Sequence, residues 1–273
     1  MENSVYTPAQ VMERMIQAGE KRVLLPVFRC ILLGMMAGGF IAFGAAASSV
    51  AAHQVANVGL ARLTTAVVFP VGLMMIVLIG GELFTGDCLM VMGVWDRRYK
   101  TLQMGKTLAI VWLSNLAGAV LIAALVSYSG ILDYSAGGMG AYLIKIAHGK
   151  CALSGAQAFV SGILCNILVC AAVLMANAAR NAGGKLLAVF FPIMAFVVAG
   201  FEHSVANMFY IPVGILAAHR TVYAQKAQEL YGLMASQVTV AGFLHNILFV
   251  TLGNIVGAMV CMALPLYFAN RRN

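Results

Sequence analysis

Six stretches of this chain, near 27–50, 66–94, 107–129, 156–179, 186–216 and 239–268, are apolar over enough residues to cross a lipid bilayer. At about 1.5 Å of helical rise per residue, roughly 20 such residues span the hydrocarbon. Nothing else restricts the fold so severely: in lipid every peptide group must find its partner inside the protein, and a helix provides those partners unaided. Over 273 residues the chain is 62% hydrophobic and 10% charged, with a mean hydropathy of +0.92, which excludes a soluble domain. The first apolar run starts only after residue 26, with no cleavable leader pattern before it, so the N-terminus is expected to be retained.

Lys and Arg outnumber Asp and Glu by 17 to 9, but in a membrane chain this excess points to the positive-inside bias rather than to nucleic acid. Of the 17, 12 fall in the N-terminus, the second and fourth loops and the C-terminus. An even number of spans puts both termini on that richer side, expected to be cytoplasmic. The chain then divides into an N-terminal amphipathic segment (1–26), a six-helix transmembrane domain (27–268) and a short cytoplasmic tail (269–273). In the first of these, Val11, Met12, Met15 and Ile16 share one helical face, which suits either the membrane surface or packing on protein. The six cysteines contain no C-x-x-C pair and sit mostly in apolar segments, so they are expected as small buried hydrophobes, with no disulfide framework, metal or cofactor.

Laid over one another at a shift of 120, "VLIGGELFTGDCLMVM" (77–92) and "VVAGFEHSVANMFYIP" (197–212) match Gly80 with Gly200 and Glu82 with Glu202. Small residues follow at Gly86 and Ala206, and polar ones at Asp87 and Asn207. A second match, "VWLSNLAGA" (111–119) with "VTLGNIVGA" (250–258), pairs Asn115 with Asn254. Matches in the same order indicate an internal duplication. Each copy holds three spans, an odd number, so the copies are inverted. The expected fold is therefore all-α, with six transmembrane helices in two inverted three-helix repeats, and with helices 2 and 5 interrupted by their Gly-Glu motifs. Such repeats place a solute path near the midplane, where the interruptions meet.

Acids at mid-membrane need partners. Glu82 and Glu202 are expected to accept hydrogen bonds from backbone N–H groups freed at the breaks, with Gly86 and Asn207 as further structural residues there. His203 has two readings, a neutral ring bridging helices or a donor facing a lumen, and imidazole is the side chain that titrates near physiological pH. Thr85 is either a helix cap or a hydroxyl donor to a solute. Asn115, Asn166 and Asn254 either tie helices together or line a pore. Lys150, in "AHGKCALSG", is either a solvated loop charge or a means of concentrating anions at a pore mouth. "GMMAG" (34–38) reads as a helix-packing face.

The segments "FEHSVANMFYIP" and "GGELFTGD", with "GILCNILVC" and "TLGNIVGA", resemble the formate/nitrite transporter family of formate, nitrite and hydrosulfide channels, and the resemblance runs over essentially the whole chain. It implies an aquaporin-like protomer in a homopentamer, each protomer with its own pore, in a bacterial or archaeal cytoplasmic membrane. It also implies that His203 is the central histidine with Glu202 as its partner, and that Thr85 is the family's threonine in the loop of span two. Asn166 and Asn254 then line the pore, Lys150 stands in the vestibule, and Phe69, Leu73, Leu83 and Phe196 form the apolar constrictions. "ELFTGD" departs from the formate channels, which carry Asp in place of Glu82, whereas "ANMFYIP" is closer to them than to the nitrite channels. The substrate stays open between the branches.

The expected activity is passage of small weak-acid monoanions, not catalysis. Apolar rings oppose hydrated ions, but an anion gathered near Lys150 and then hydrogen-bonded or protonated near His203 can pass. Proton-coupled symport of the same acids is the alternative. A neutral-solute channel fits the repeat plan but lacks paired Asn-Pro-Ala loops, and a membrane redox subunit would need more central histidines than His203.

Overall fold

A computed structural model describes residues 5–271. The first four residues of the expected N-terminal segment and the last two of the expected tail, Arg272 among them, lie outside the described residues. Helix α1 (Pro8–Val23) starts at a capping box in which Thr7 and Gln10 bond each other's backbone N–H, with Pro8 in the first turn. Its apolar face, Val11, Met12, Met15 and Ile16, is buried against protein, so of the two placements open to it the helix takes the second. Helix α2 (Val27–Ala52) is the first span, and α3 (Val58–Val68) with α4 (Val71–Ile79) makes the second. After a break come α5 (Phe84–Asp87), a 3-10 turn and α6 (Val91–Trp95). Span three is α7 (Thr101–Tyr128), followed by a non-spanning helix α8 (Gly138–Cys151), and span four is α9 (Gly155–Ala178). Span five is α10 (Ala182–Ala199), broken before α11 (Ser204–Ala218), and α12 (Thr221–Tyr231) follows. The last span runs through α13 (Val240–Val256), a π-helical turn and α14 (Leu264–Asn270).

Six spans in alternation put both ends on one face, called here the terminal face. The contacts agree: α1 packs on α14, and Tyr6 donates its N–H to the carbonyl of Ala178 beside the fourth loop. Helices α8 and α12 belong to the far face.

Both interruptions stand where the matched motifs place them. Helix α4 stops at Gly80 (φ +110°) and α10 at Gly200 (φ +75°), backbone that costs glycine little and an L side chain much. The chain then runs without helical bonding through 81–83 and 201–203, and the new helices begin at Phe84 and Ser204. The repeats also close-pack alike. A Cβ on Gly38 or Gly118 would strike the backbone carbonyl of Asn115 or Met35 between α2 and α7, and one on Gly253 or Gly257 that of Phe159 or Ile163 between α9 and α13. Small residues let these helix backbones touch.

Each three-span repeat is preceded by a helix that is not among the spans, α1 before span one and α8 before span four. Residues 138–151 form a helix rather than a polar loop because Met139, Leu143, Ile144 and Ala147 are buried, the helix lying against α11 and α12. Residues 221–231 likewise form a helix, burying Tyr223 and Ala227. Cys261, on the last span, is exposed rather than buried.

Candidate functional site

The breaks are held by amides, not by the acids. Asn115 accepts the N–H of Phe84 (3.0 Å) and donates to the carbonyls of Gly34 (2.7 Å) and Glu82 (2.9 Å). Asn254 accepts the N–H of Ser204 (2.9 Å) and donates to those of Gly162 (2.8 Å) and Glu202 (3.0 Å). This overturns the expectation that Glu82 and Glu202 bond the freed backbone. An amide both donates and accepts, so it serves N–H and C=O groups at once, whereas an ionised carboxylate only accepts. Both asparagines, with Asn166, spend their amides as ties: Asn166 donates to the carbonyls of Thr85 (3.1 Å) and Asn254 (2.7 Å).

The starts of α5 and α11 meet at His203 and Thr85. His203 caps its own helix, its Nδ1 accepting the Ala206 N–H at 3.1 Å, and its Nε2 lies 3.0 Å from the Thr85 hydroxyl oxygen. A backbone N–H can only donate, so Nδ1 carries no proton and the hydrogen is assigned to Nε2, which donates to Thr85. Thr85 keeps its own hydroxyl hydrogen to give. The ring of Phe196 stacks on the imidazole (5.9 Å between centroids) and meets Phe69 edge-on (5.7 Å). Phe69, Leu73, Leu83 and Phe196 come together around a cell of about 10 Å³, in which His203 is the one polar lining residue.

Towards the far face a cavity of about 420 Å³ opens beside His203. Lys150, in the last turn of α8, grips both oxygens of Glu202 at 2.9 and 3.1 Å, so it is a paired, half-buried ammonium rather than a solvated loop charge. Asn207 donates to Glu202 (2.6 Å) and to Asn246 (2.7 Å), whose own amide bonds the Lys150 carbonyl (2.9 Å). Arg62, Thr65, Tyr142, Lys145 and Tyr210 complete the polar lining.

Towards the terminal face lies a cavity of about 190 Å³, lined by Arg22, Gly86, Asp87, Asn177 and Lys185 among others. Arg22 reaches in from α1: its Nε contacts a Glu82 oxygen and, at 3.2 Å, an oxygen of Asp87. Arg22 and Lys150 are thus counterparts, each the penultimate residue of the helix before its repeat and each paired with the break glutamate. Arg22, Lys185, Arg62 and Asn246 were not among the sequence candidates. The signal for Arg22 is positional, since "EKRV" and "HGKC" end two short helices without sharing a motif. Among the described residues no group of three or more His, Cys, Asp or Glu is arranged to hold a metal.

The sequence profile described as formate/nitrite transporter matches residues 9–268. A probable formate transporter of Methanothermobacter thermautotrophicus is 38% identical, the match covering 96% of both chains. The formate channel FocA of Haemophilus influenzae is 36% identical over 75% of this chain and 72% of its own. Among solved structures, an ion channel of the same family superposes with a TM-score of 0.82 at 27% identity, covering 96% of this chain and 99% of that one. A pentameric formate channel with formate bound gives 0.77 at 27% identity, covering 89% and 97%. A family profile over nearly the full length, on a fold of six spans with two matched breaks, leaves one assignment: the chain belongs to the formate/nitrite transporter family of multi-pass membrane channels and transporters, and is not an enzyme.

Proposed function

We propose that this chain is a channel for small monoanions of weak acids, of the formate, nitrite and hydrosulfide class, working as a homopentamer with the terminal face, α1 and the tail towards the cytoplasm. One observation carries the reading. Two cavities, each with a half-buried cation, flank an apolar cell whose single polar lining group is an imidazole. Either cation draws an anion inward, and the cell then rejects it while it keeps its charge and water. A weak acid passes this barrier as a hydrogen-bonded or neutral species, and a strong-acid anion has no neutral form to offer.

His203 serves as a donor through Thr85, its Nε2–H fixing the hydroxyl so that the remaining hydrogen is given to the solute. The neutral ring, with Nδ1 already taken by Ala206, favours hydrogen bonding over release of a proton. Pentameric assembly is supported by the related pentameric formate channel. Proteoliposome flux tests the reading: formate, nitrite and hydrosulfide should outrun chloride and glycerol, and Thr85→Val should lower weak-acid flux far more than Thr85→Ser. Equal passage of chloride and formate would remove it. Symport with a proton is the second reading, favoured by the two carboxyls beside Arg22, and it predicts acidification on the receiving side.

A further inference from the structure

In the wall of the terminal-face cavity two polar atoms are buried with no hydrogen-bond partner among the described residues, Nη1 of Arg22 and Oδ2 of Asp87. Asp87 is only 3% exposed. The repeats differ at this point. On the far side one acid, Glu202, meets one cation, Lys150, and the position matched to Asp87 is the amide Asn207. On the terminal side two acids, Glu82 and Asp87, share a single nitrogen of Arg22. Two carboxylates held against one nitrogen out of water repel, and keeping one proton between them relieves the repulsion. Glu82 holds the nearer contact with Arg22, which leaves the proton to Asp87, a residue of the cavity wall whose Oδ2 is itself closed off from the cavity space.

We propose that Asp87 holds a proton in the resting protein and forms with Arg22 a second weak-acid site, distinct from His203, where the passing anion is protonated or the passing acid gives its proton up. The site rests on the channel reading above. Both residues belong to the cavity wall, and turning their side chains outward would offer two donors, Arg22 Nη1–H and Asp87 Oδ2–H, to a carboxylate or nitrite anion. On entry from this face the Asp87 O–H bond breaks as the O–H bond of the weak acid forms. Asp87 is left ionised, the neutral acid moves into the apolar cell, and water at the cavity mouth returns a proton to Asp87. Exit runs the same steps backwards. This supplies a proton that His203 could give only from a charged ring, and charging the ring would put a hydrogen on Nδ1 and break its bond to Ala206.

The other groups facing Asp87 are Glu82 from the break, Arg22 from α1, Cys30 from α2, Cys88 from the turn after α5, and Tyr99 from the second loop. Lys185 of α10 shares the cavity and makes no ion pair among the described residues. Were Lys185 to neutralise the second acid, Asp87 would be ionised at rest.

Infrared spectroscopy of the intact protein in lipid reads the proton directly. The wild type should show a protonated-carboxyl band at neutral pH that Asp87→Asn abolishes, and sodium formate should shift that band. Asp87→Asn carries the amide found at Asn207, so its fold is preserved, and assembly is checked by gel filtration. In proteoliposomes the variant should lose about a hundredfold of formate flux, the scale of one positioned proton donor. Absence of the band in the wild type, or its survival in Asp87→Asn, would overturn the resting proton, and a band indifferent to formate would overturn the anion site. A wild type with the band but no weak-acid flux would instead sink the channel reading.

Discussion

Asn115 and Asn254 make the same set of bonds in opposite halves of the molecule: each takes the first N–H of a helix and ties two carbonyls, one from the adjoining span and one from the break glutamate. Asn254→Ala would leave the Ser204 N–H and the Glu202 carbonyl without their partner, while the Gly162 carbonyl keeps its place in the ladder of α9. At 1–3 kcal/mol for a stranded group, a loss of about 3 kcal/mol is expected, read as a lower unfolding midpoint in detergent. Asn254→Asp should do no better, because it keeps the acceptor and loses both donors. Wild-type stability in either variant would show that the break is held by other means.

The Lys150–Glu202 pair makes opposite forecasts for its two ends. Lys150→Met strands a buried carboxylate and should cost about 3 kcal/mol, while adding Glu202→Gln should restore most of it. Glu202→Gln alone frees the ammonium into the 420 Å³ cavity, so half-saturation for formate should fall and become steeply salt-dependent. Salt-independent flux in that variant would count against Lys150 as an anion collector.

Glycines in this chain divide into two kinds that a thermal-shift series can separate. Gly38→Ala and Gly118→Ala push a methyl into a backbone carbonyl that cannot retreat, and should lower the midpoint sharply. Gly105→Ala and Gly149→Ala meet nothing within 4 Å inside α7 and α8, and should gain about 0.5–1 kcal/mol from backbone entropy. Destabilisation at Gly105 would reveal a neighbouring subunit against that face.

Alkaline lability should centre on Tyr99, outside the spans. Its hydroxyl donates to the Met90 carbonyl at 2.6 Å, and burial pushes the phenol up to about 12. The folded state therefore holds the proton between about pH 10 and 12, where the unfolded chain releases it, so stability falls as pH rises through that window. Tyr99→Phe should cost about 1 kcal/mol at neutral pH and flatten the alkaline limb of a melting-temperature profile.

Both breaks were legible because a Gly-Glu step inside an apolar run has no lipid-facing explanation, and the shift of 120 turned one oddity into a pair. The four constriction residues came from the family resemblance, which also matched His203 and Thr85 to family positions; that these two meet is what the structure adds. What escaped was set by distance and by mixed composition. Residues 138–151 carry Lys145, His148 and Lys150 among apolar residues, so no clear periodicity declares a helix; only contact with α11 and α12 does. The Arg22–Glu82 pair joins residues 60 positions apart through a helix that reads as a surface element. Choosing amide over acid as the clamp depended on how many donors and acceptors each break leaves, which only the backbone trace reveals.

The cell beneath Phe69 and Phe196, about 10 Å³, has room for at most a single water. Protons hop rapidly only along a continuous file of waters, and here the file is cut. If the chain is the weak-acid channel proposed above, a membrane crowded with it should stay tight to bare protons.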